Sequence, residues 1–240
     1  MRTLPTVTLL GIDCVNIERL MLVADLCQEY FAFGDVKLLT SLPVPTGVPK
    51  VEIPPICSSA EYSEFVIRHL AEYVDTSHVL IIQYDGFILN PDAWDDAFLT
   101  YDYIGAPWFV RDSSINRFGF PEDSRGTWVV GNGGFSLRSK KFLQVTAELA
   151  KKGAIAEYHP EDVSLCVWNR TLLEERGLQF APVPIARRFS YEALDENNNR
   201  AWTNQLGFHG IRWTDISKWS LQHPEYVVDM QANMFHKLGA

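Results

Sequence analysis

The chain has 240 residues, a net charge of −9 at pH 7, 47% hydrophobic residues and 21% charged ones. That balance describes a globular protein with an ample core, and the acidity, without any Lys/Arg run, argues against binding a nucleic-acid backbone. No apolar stretch approaches the ~20 residues that span a bilayer, and Met1-Arg2-Thr3-Leu4-Pro5-Thr6 lacks the apolar core of a signal peptide. A small anionic ligand needs only a local positive site.

Thr6–Ile12 reads as a first strand, and Asp13 to Asn16 as a loop with Asn16 as helix N-cap. Ile17, Leu20, Val23, Ala24 and Cys27 recur at helical spacing and predict a helix from Ile17 to about Tyr30, before a second strand over Asp35–Thr40. That order favours a right-handed parallel unit. Residues 41–57 hold five prolines and are expected to be an extended loop. Ser58 and Glu61 have capping-box spacing, and Tyr62, Phe65, Val66, His69, Leu70 and Tyr73 share one helical face behind them, which makes His69 a core histidine.

Val79-Leu80-Ile81-Ile82 reads as a central strand buried on both faces. It ends in Gln83-Tyr84-Asp85-Gly86, and ligands of open α/β sheets bind outside the carboxyl ends of strands. A carboxylate there, beside a glycine that lets a ligand approach, is a candidate for a metal or a phosphate-bearing ligand. The plainer alternative is a strand that ends in a turn.

Beyond Pro91 the pattern predicts a short helix over Asp92–Phe98, a short strand over Asp102–Trp108 and a mobile loop over residues 111–127. Gly131, Gly133 and Gly134 imply unusual φ angles or close backbone approach. A helix over Lys140–Lys151, a second one opened by His159-Pro160-Glu161-Asp162, a strand over Phe180–Val183 and a closing helix from Pro224 complete the reading. No internal repeat or linker is evident. Cys14, Cys27, Cys57 and Cys166 lack metal-ligand spacing and read as reduced packing residues of a cytosolic protein.

Several of these stretches, in this order, resemble the GT-A glycosyltransferase fold. They are Gln83-Tyr84-Asp85-Gly86-Phe87, Tyr103-Ile104-Gly105-Ala106-Pro107-Trp108, Gly131 to Arg138, Glu161-Asp162, Arg187-Arg188-Phe189-Ser190 and Phe208-His209-Gly210. The resemblance is closer still to a family of bacterial glycosyltransferase-like proteins first described only as a domain of unknown function. It implies an α/β, GT-A-like single domain with a mixed central sheet, in which about residues 1–90 form a Rossmann-like nucleotide-binding half and about 91–240 the acceptor and catalytic half. The implied activity is transfer of a hexose-type sugar from a nucleoside-diphosphate sugar, a UDP-sugar foremost, to a hydroxyl of a glycan or lipid-linked acceptor. Such work belongs to bacterial glycan biosynthesis, in the cytoplasm or at the inner face of its membrane.

By the same resemblance Asp85 and His209 would hold Mn²⁺ or Mg²⁺ on the donor diphosphate, with Gln83 replacing the first acid of the Asp-x-Asp motif. Asp162, or Glu161, would be the general base of an inverting reaction. Asp13, Asn16, Tyr84, Asn132, Gly133, Gly134 and Trp108 would line the donor site, with Trp128 a further stacking candidate. Arg187 and Arg188 offer another way to neutralise phosphate. The competing class is a sugar-nucleotide or glycan-binding module without turnover. A nucleotidyltransferase lacks its basic Gly-rich loop here, and a glycoside hydrolase would need two carboxylates across a cleft.

Overall fold

A computed structural model describes residues 1–192 and 195–239. In chain order it contains β1 (Arg2–Ile12), α1 (Ile17–Tyr30), β2 (Phe31–Thr40), β3 (Lys50–Glu52), α2 (Ser59–Arg68), β4 (His78–Ile82), β5 (Tyr103–Ile104), β6 (Pro107–Phe109), α3 (Asp112–Phe118), β7 (Trp128–Val130) and β8 (Ser136–Ser139). The rest comprises α4 (Lys140–Lys151), α5 (Glu161–Val163), α6 (Arg170–Glu175), α7 (Val183–Phe189), β9 (Ser190–Glu192), β10 (Gly207–His209), α8 (Ser217–Ser220), β11 (Tyr226–Asp229) and β12 (Met234–Lys237).

The central sheet has six strands in the order β3-β2-β1-β4-β8-β5. The first four run parallel, as the β-α-β reading requires, and β8 is antiparallel to both β4 and β5. The class is therefore α/β with a mixed central sheet, as expected. All five residues of β4 are buried. Leu80 and Ile82 face the core under α1, whereas Val79 and Ile81 face the core under α2 and α4. Each such burial contributes roughly 1.5–3 kcal/mol, so β4 is fixed from both sides and its carboxyl end is a rigid platform.

The Ser58 hydroxyl accepts from the Glu61 N–H at 3.1 Å, while the Glu61 carboxylate reaches Cys57 N–H rather than that of Ser58. Helix α4 has the expected bounds, with Ser139 as its N-cap and Gly153 at φ +72° beyond its end.

Other expectations are corrected. His69 is exposed beside Glu72, and α2 buries Ser63, Val66 and Ile67 instead. The proline-rich stretch includes β3 because Lys50–Glu52 pairs with the end of β2. Two 3₁₀ turns, Pro91–Ala93 and Asp96–Thr100, replace one helix. Residues 102–108 divide into β5 and β6 in different sheets. Gly105 separates them, and a Cβ there would lie 2.0 Å from the Gly131 carbonyl oxygen. The stretch 111–127 holds α3, closed by Gly119 at φ +66°. The helix after Pro160 is one α-turn and then a wide π-type turn over Ser164–Trp168. Phe180 makes a single bridge to Tyr103, and the chain then turns helical at Val183 behind Pro182.

The tail from Pro224 is the β11–β12 hairpin rather than a helix. Asp229 accepts from the N–H groups of Gln231 and Ala232, and Asn233 takes φ +52°, so turn chemistry overrides helical spacing. Tyr226 and Phe235 stack at 5.1 Å in the core beside Trp219 and Phe87. Of the four cysteines, all unpaired, Cys27 and Cys166 are buried, Cys14 is half-buried and Cys57 is exposed rather than a packing residue. Among the described residues, no helix is long and apolar enough to cross a membrane.

Candidate active site

At the end of β4 the chain closes a tight reversal: the Gln83 N–H donates to the Gly86 carbonyl at 2.9 Å, and the Gly86 N–H to that of Gln83 at 3.0 Å. The following residues lie along a later segment. Ile88 bridges Gly207, and the Gly210 N–H donates to the Asp85 carbonyl at 2.7 Å. Gly210 takes φ +76° to allow this. Strand β10 pairs in parallel with β9 in a register that sets His209 opposite Glu192. These two backbone pairings carry Asp85, His209 and Glu192 to one place.

The His209 ring is held from both sides. Its Nε2 lies 3.2 Å from Gln83 Oε1 and 3.7 Å from Asp85 Oδ1. Its Nδ1 lies 2.8 Å from Glu192 Oε1 and 3.1 Å from Asn132 Nδ2. Burial works against a charge on this ring, but Asp85 and then Glu192 outweigh it and push its pKa up to about 9. Burial likewise works to raise the Glu192 carboxyl, yet the facing His209 holds it below the usual range. Gln83 Nε2 donates to the Tyr62 hydroxyl at 3.0 Å, which fixes the amide with its oxygen toward His209.

Glu161 and Asp162 are neighbours with different fates. Glu161 is buried and pairs with buried Arg138 at 2.8 Å. Among the described residues, Asp162 makes no direct salt bridge. Its Oδ2 accepts the Gly133 N–H at 3.0 Å and its Oδ1 its neighbour Val163 N–H at 2.9 Å. Burial, then the charges of Glu161 and Glu192, push its carboxyl up to about 7. Asp162 and Glu192 sit at a cleft of about 590 Å³ whose walls include Trp108, Phe118, Phe120 and Trp213.

The glycine loop makes room for these side chains. A Cβ on Gly133 would lie 1.8 Å from Glu161 Oε1, and one on Gly134 2.2 Å from His209 Nε2. Asn132 takes φ +68° at the start of that turn. The Gly133 amide, expected to face a donor sugar, is thus already bonded to Asp162. A Cβ on Gly207 would lie 2.4 Å from the Phe135 ring.

Asp13 Oδ1 accepts from the N–H groups of Val15 and Asn16, and Asn16 starts α1 without a side-chain cap. The Arg19 guanidinium lies 3.8 Å above the Tyr84 ring beside this turn. Trp108 donates its indole N–H to Glu192 Oε2 at 2.5 Å. Arg187 and Arg188 are not brought to Asp85. Arg187 lies over the Trp128 ring and pairs with Glu196, and Arg188 pairs with Asp95. Glu192, Tyr62 and Arg138 are site residues that the sequence reading missed. Glu192 lies two residues beyond Arg187-Arg188-Phe189-Ser190. Only the β9–β10 register reveals its role.

The Asp85 carboxylate, the Gln83 amide oxygen and, once deprotonated, the His209 imidazole are the groups here that could hold a divalent cation. Among the described residues, no group of three or more His, Cys, Asp or Glu side chains is arranged to hold a metal.

Among solved structures, a galactosyltransferase, LgtC, in complex with donor and acceptor sugar analogues is similar at a TM-score of 0.47 and 12% identity, over 84% of this chain and 86% of that one. The apo form of the glycosyltransferase GlyE of Streptococcus pneumoniae is similar at 0.47 and 12% identity, over 94% of this chain. The match covers 61% of GlyE, less than two thirds of its length. Both likenesses are too loose in superposition to specify chemistry. No curated protein matches the sequence. Residues 48–209, which include Tyr62, Asp85, Asp162, Glu192 and His209, match the family model DUF5672, described as a protein of unknown function, and the chain belongs to that family.

Proposed function

We propose that this protein is an inverting glycosyltransferase that moves a sugar from a nucleoside-diphosphate donor, UDP-linked by preference, to a hydroxyl of a glycan or lipid-linked acceptor. One observation carries the reading. A convergent Asp85, His209 and Gln83 set lies at the carboxyl ends of parallel strands, beside a carboxylate of pKa about 7 that opens on an aromatic-walled cleft.

In this reading residues 1–90 supply the nucleotide half, and the donor diphosphate lies over Asp85 and His209. Asp85 and, once deprotonated, His209 would hold a divalent cation there, which would supply charge neutralisation for the leaving diphosphate. Asp162 takes the proton from the acceptor hydroxyl. The acceptor oxygen bonds to the anomeric carbon from the face opposite the diphosphate, whose oxygen leaves with the electron pair. A carboxylate titrating near neutrality suits a general base at physiological pH. The unpaired cysteines accord with work in the cytoplasm or at the inner face of its membrane.

The test is UDP affinity, by calorimetry and thermal shift, with Mn²⁺ or with chelator, for wild type, Asp85→Asn and His209→Ala. At UDP near 100 times Kd the stability gain is about 2.7 kcal/mol. Each substitution removes most of the Mn²⁺-dependent part, and the double variant loses little more. Equal affinity in chelator would remove the metal from the reading. No response to any nucleoside diphosphate would remove the transferase itself. The neutral Gln83 at the place of an acid favours one second reading, a sugar-nucleotide-binding module. Intact nucleotide binding with no donor turnover across a panel of acceptors would select it.

A further inference from the structure

The cleft beside Asp162 has a charge pattern that a bare hydroxyl does not explain. Its walls come from three places. Strand β6 supplies Trp108, whose indole N–H is fixed on Glu192. The loop after β10 supplies Trp213, which at 56% is the most exposed tryptophan among the described residues. That ring has a firm seat: the Trp213 N–H donates to the Gly210 carbonyl at 2.8 Å, and a Cβ on Gly210 would lie 2.8 Å from Trp213 Cδ1. The segment around α3 supplies Phe118, Phe120, Arg111 and Arg117.

This α3 wall is mounted beside the acid rather than on the two large cores. Ile115 and Phe120 share a small separate core with Val110 and Val163, and Val163 directly follows Asp162. At the end of α3, the Trp168 indole N–H donates to the Phe118 carbonyl at 2.8 Å. Wall and acid therefore hold a fixed spacing.

In a chain of net charge −9, the α3 wall is the cationic side of the cleft. Arg111 is committed, since it donates to the carbonyls of Phe109 and Asp195 and to Asn198 Oδ1. Arg117 lies over the Phe118 ring, 5.0 Å from its centroid, and makes no ion pair among the described residues. Its place in the last turn of α3 suits the helix end, but that role does not call for a guanidinium lining a cleft of about 590 Å³. Aromatic faces suit the C–H face of a sugar ring, and a guanidinium pairs with phosphate or carboxylate through two parallel bonds.

We propose that this cleft binds an anionic sugar, with the ring stacked on Trp213, a phosphate or carboxylate on Arg117 and a hydroxyl toward Asp162. That the sugar is the acceptor of transfer rests on the reading above, whereas its binding in the cleft does not.

Calorimetric titration of the full chain without nucleotide tests this. Three probes differ only at the last carbon of the sugar: phenyl β-D-glucoside, phenyl β-D-glucuronide and phenyl β-D-glucoside 6-phosphate. At least one anionic probe binds about fivefold tighter than the neutral one, the upper end for a solvent-facing ion pair. The tighter of the two tells a sugar phosphate from a uronic acid. Arg117→Gln removes that preference and leaves the neutral probe as it was. Lys151→Gln, which changes the net charge equally on a helix that does not line the cleft, keeps the preference. Trp213→Ala weakens all three probes by roughly fivefold to tenfold. Arg117 and Trp213 are exposed, so neither substitution disturbs a core. Failure of all three probes to bind overturns the proposal. So does a neutral probe that matches both anionic ones, a preference that survives Arg117→Gln or falls equally in Lys151→Gln, or unchanged binding by Trp213→Ala. UDP affinity, measured alongside, separates the two readings. The expected probe pattern without UDP binding supports the cleft and overturns the transferase, and UDP binding without any probe binding overturns the cleft alone.

Discussion

The site has two walls. Behind Asp85 stands β4, whose last four residues are buried aliphatics in contact with two separate cores. Beside it in the fold are Asn132, Ser136, Arg138 and Glu161, buried polar or charged groups from the glycine loop, the neighbouring strand β8 and the start of α5. The first wall is stable because apolar area leaves water. The second is held by pairing, since a buried charge is costly unless it is paired and hydrogen-bonded. Arg138 and Glu161 pair through one oxygen and leave Arg138 Nη1 and Glu161 Oε2 without a hydrogen-bond partner, whereas Asp162 receives two backbone N–H groups and, among the described residues, no direct salt bridge. The carboxylate pushed up is the one without a salt bridge, Asp162, which shares the cleft with the His209-paired Glu192.

The largest effect that would break this comparison lies at Arg138. Replacing it with Met keeps the volume but leaves Glu161 buried without its cation, at a cost of about 3–5 kcal/mol. For a chain of this size that lowers Tm by roughly 10 °C, measured by scanning calorimetry. Adding Glu161→Leu restores much of the loss, because an apolar pair can replace a buried ion pair at little cost. A Tm within a degree of wild type for Arg138→Met would mean that the wall is not held by that pair.

Asp162→Asn should behave in the opposite sense. As the base, its loss lowers sugar transfer roughly 10²-fold or more, with UDP affinity nearly unchanged. Its effect on stability depends on pH. The folded-state pKa of about 7 lies above the usual value, so between about pH 4 and 7 the unfolded chain releases a proton that the folded chain retains. Wild-type stability falls across that window, and the Asn variant lacks this fall. The Tm difference between variant and wild type therefore shifts in the variant's favour from pH 4 to pH 8. Wild-type transfer rises with pH through about 7. A Tm difference that does not change with pH, or near-normal transfer by the folded variant, would return Asp162 to the role of a helix-start acid.

The apolar wall was legible in the sequence because its pattern is local: Val79–Ile82 reads as doubly buried from four residues, and α1 and α4 from their periodicity. Asp85 and His209 came together as expected, from a resemblance rather than from spacing. What could not be read depends on register and partners across long gaps. Glu192 meets His209 only through a three-residue parallel pairing. His69 has the same helical spacing as its buried neighbours, yet it lies just past the end of α2 and faces solvent. Arg187 and Arg188 suit phosphate by chemistry, but nearby acids and an aromatic ring take them up. The hairpin at the tail hides behind helix-like spacing because Asp229 and Asn233 act through turn geometry.

The smallest predicted effect sharpens the comparison where the two walls touch. Tyr62 comes from α2, behind the apolar wall, yet its hydroxyl is what orients Gln83 toward His209. Tyr62→Phe removes one hydrogen bond and leaves Gln83 Nε2 without that acceptor, a cost of about 1 kcal/mol. The ring remains, so the packing of α2 is retained. Gln83 then gains freedom to rotate and present its amide nitrogen to His209 Nε2, where an N–H donor competes with a cation. The expected result is a Tm lower by a few degrees and a several-fold weaker Mn²⁺-dependent gain in UDP affinity, with affinity in chelator unchanged. Asp85→Asn in the same background should still abolish most of the remaining gain. If Tyr62→Phe lowers Tm but leaves the Mn²⁺-dependent gain at the wild-type value, Gln83 is held by the reversal at the end of β4 alone, and the apolar wall contributes position but no orientation to the site.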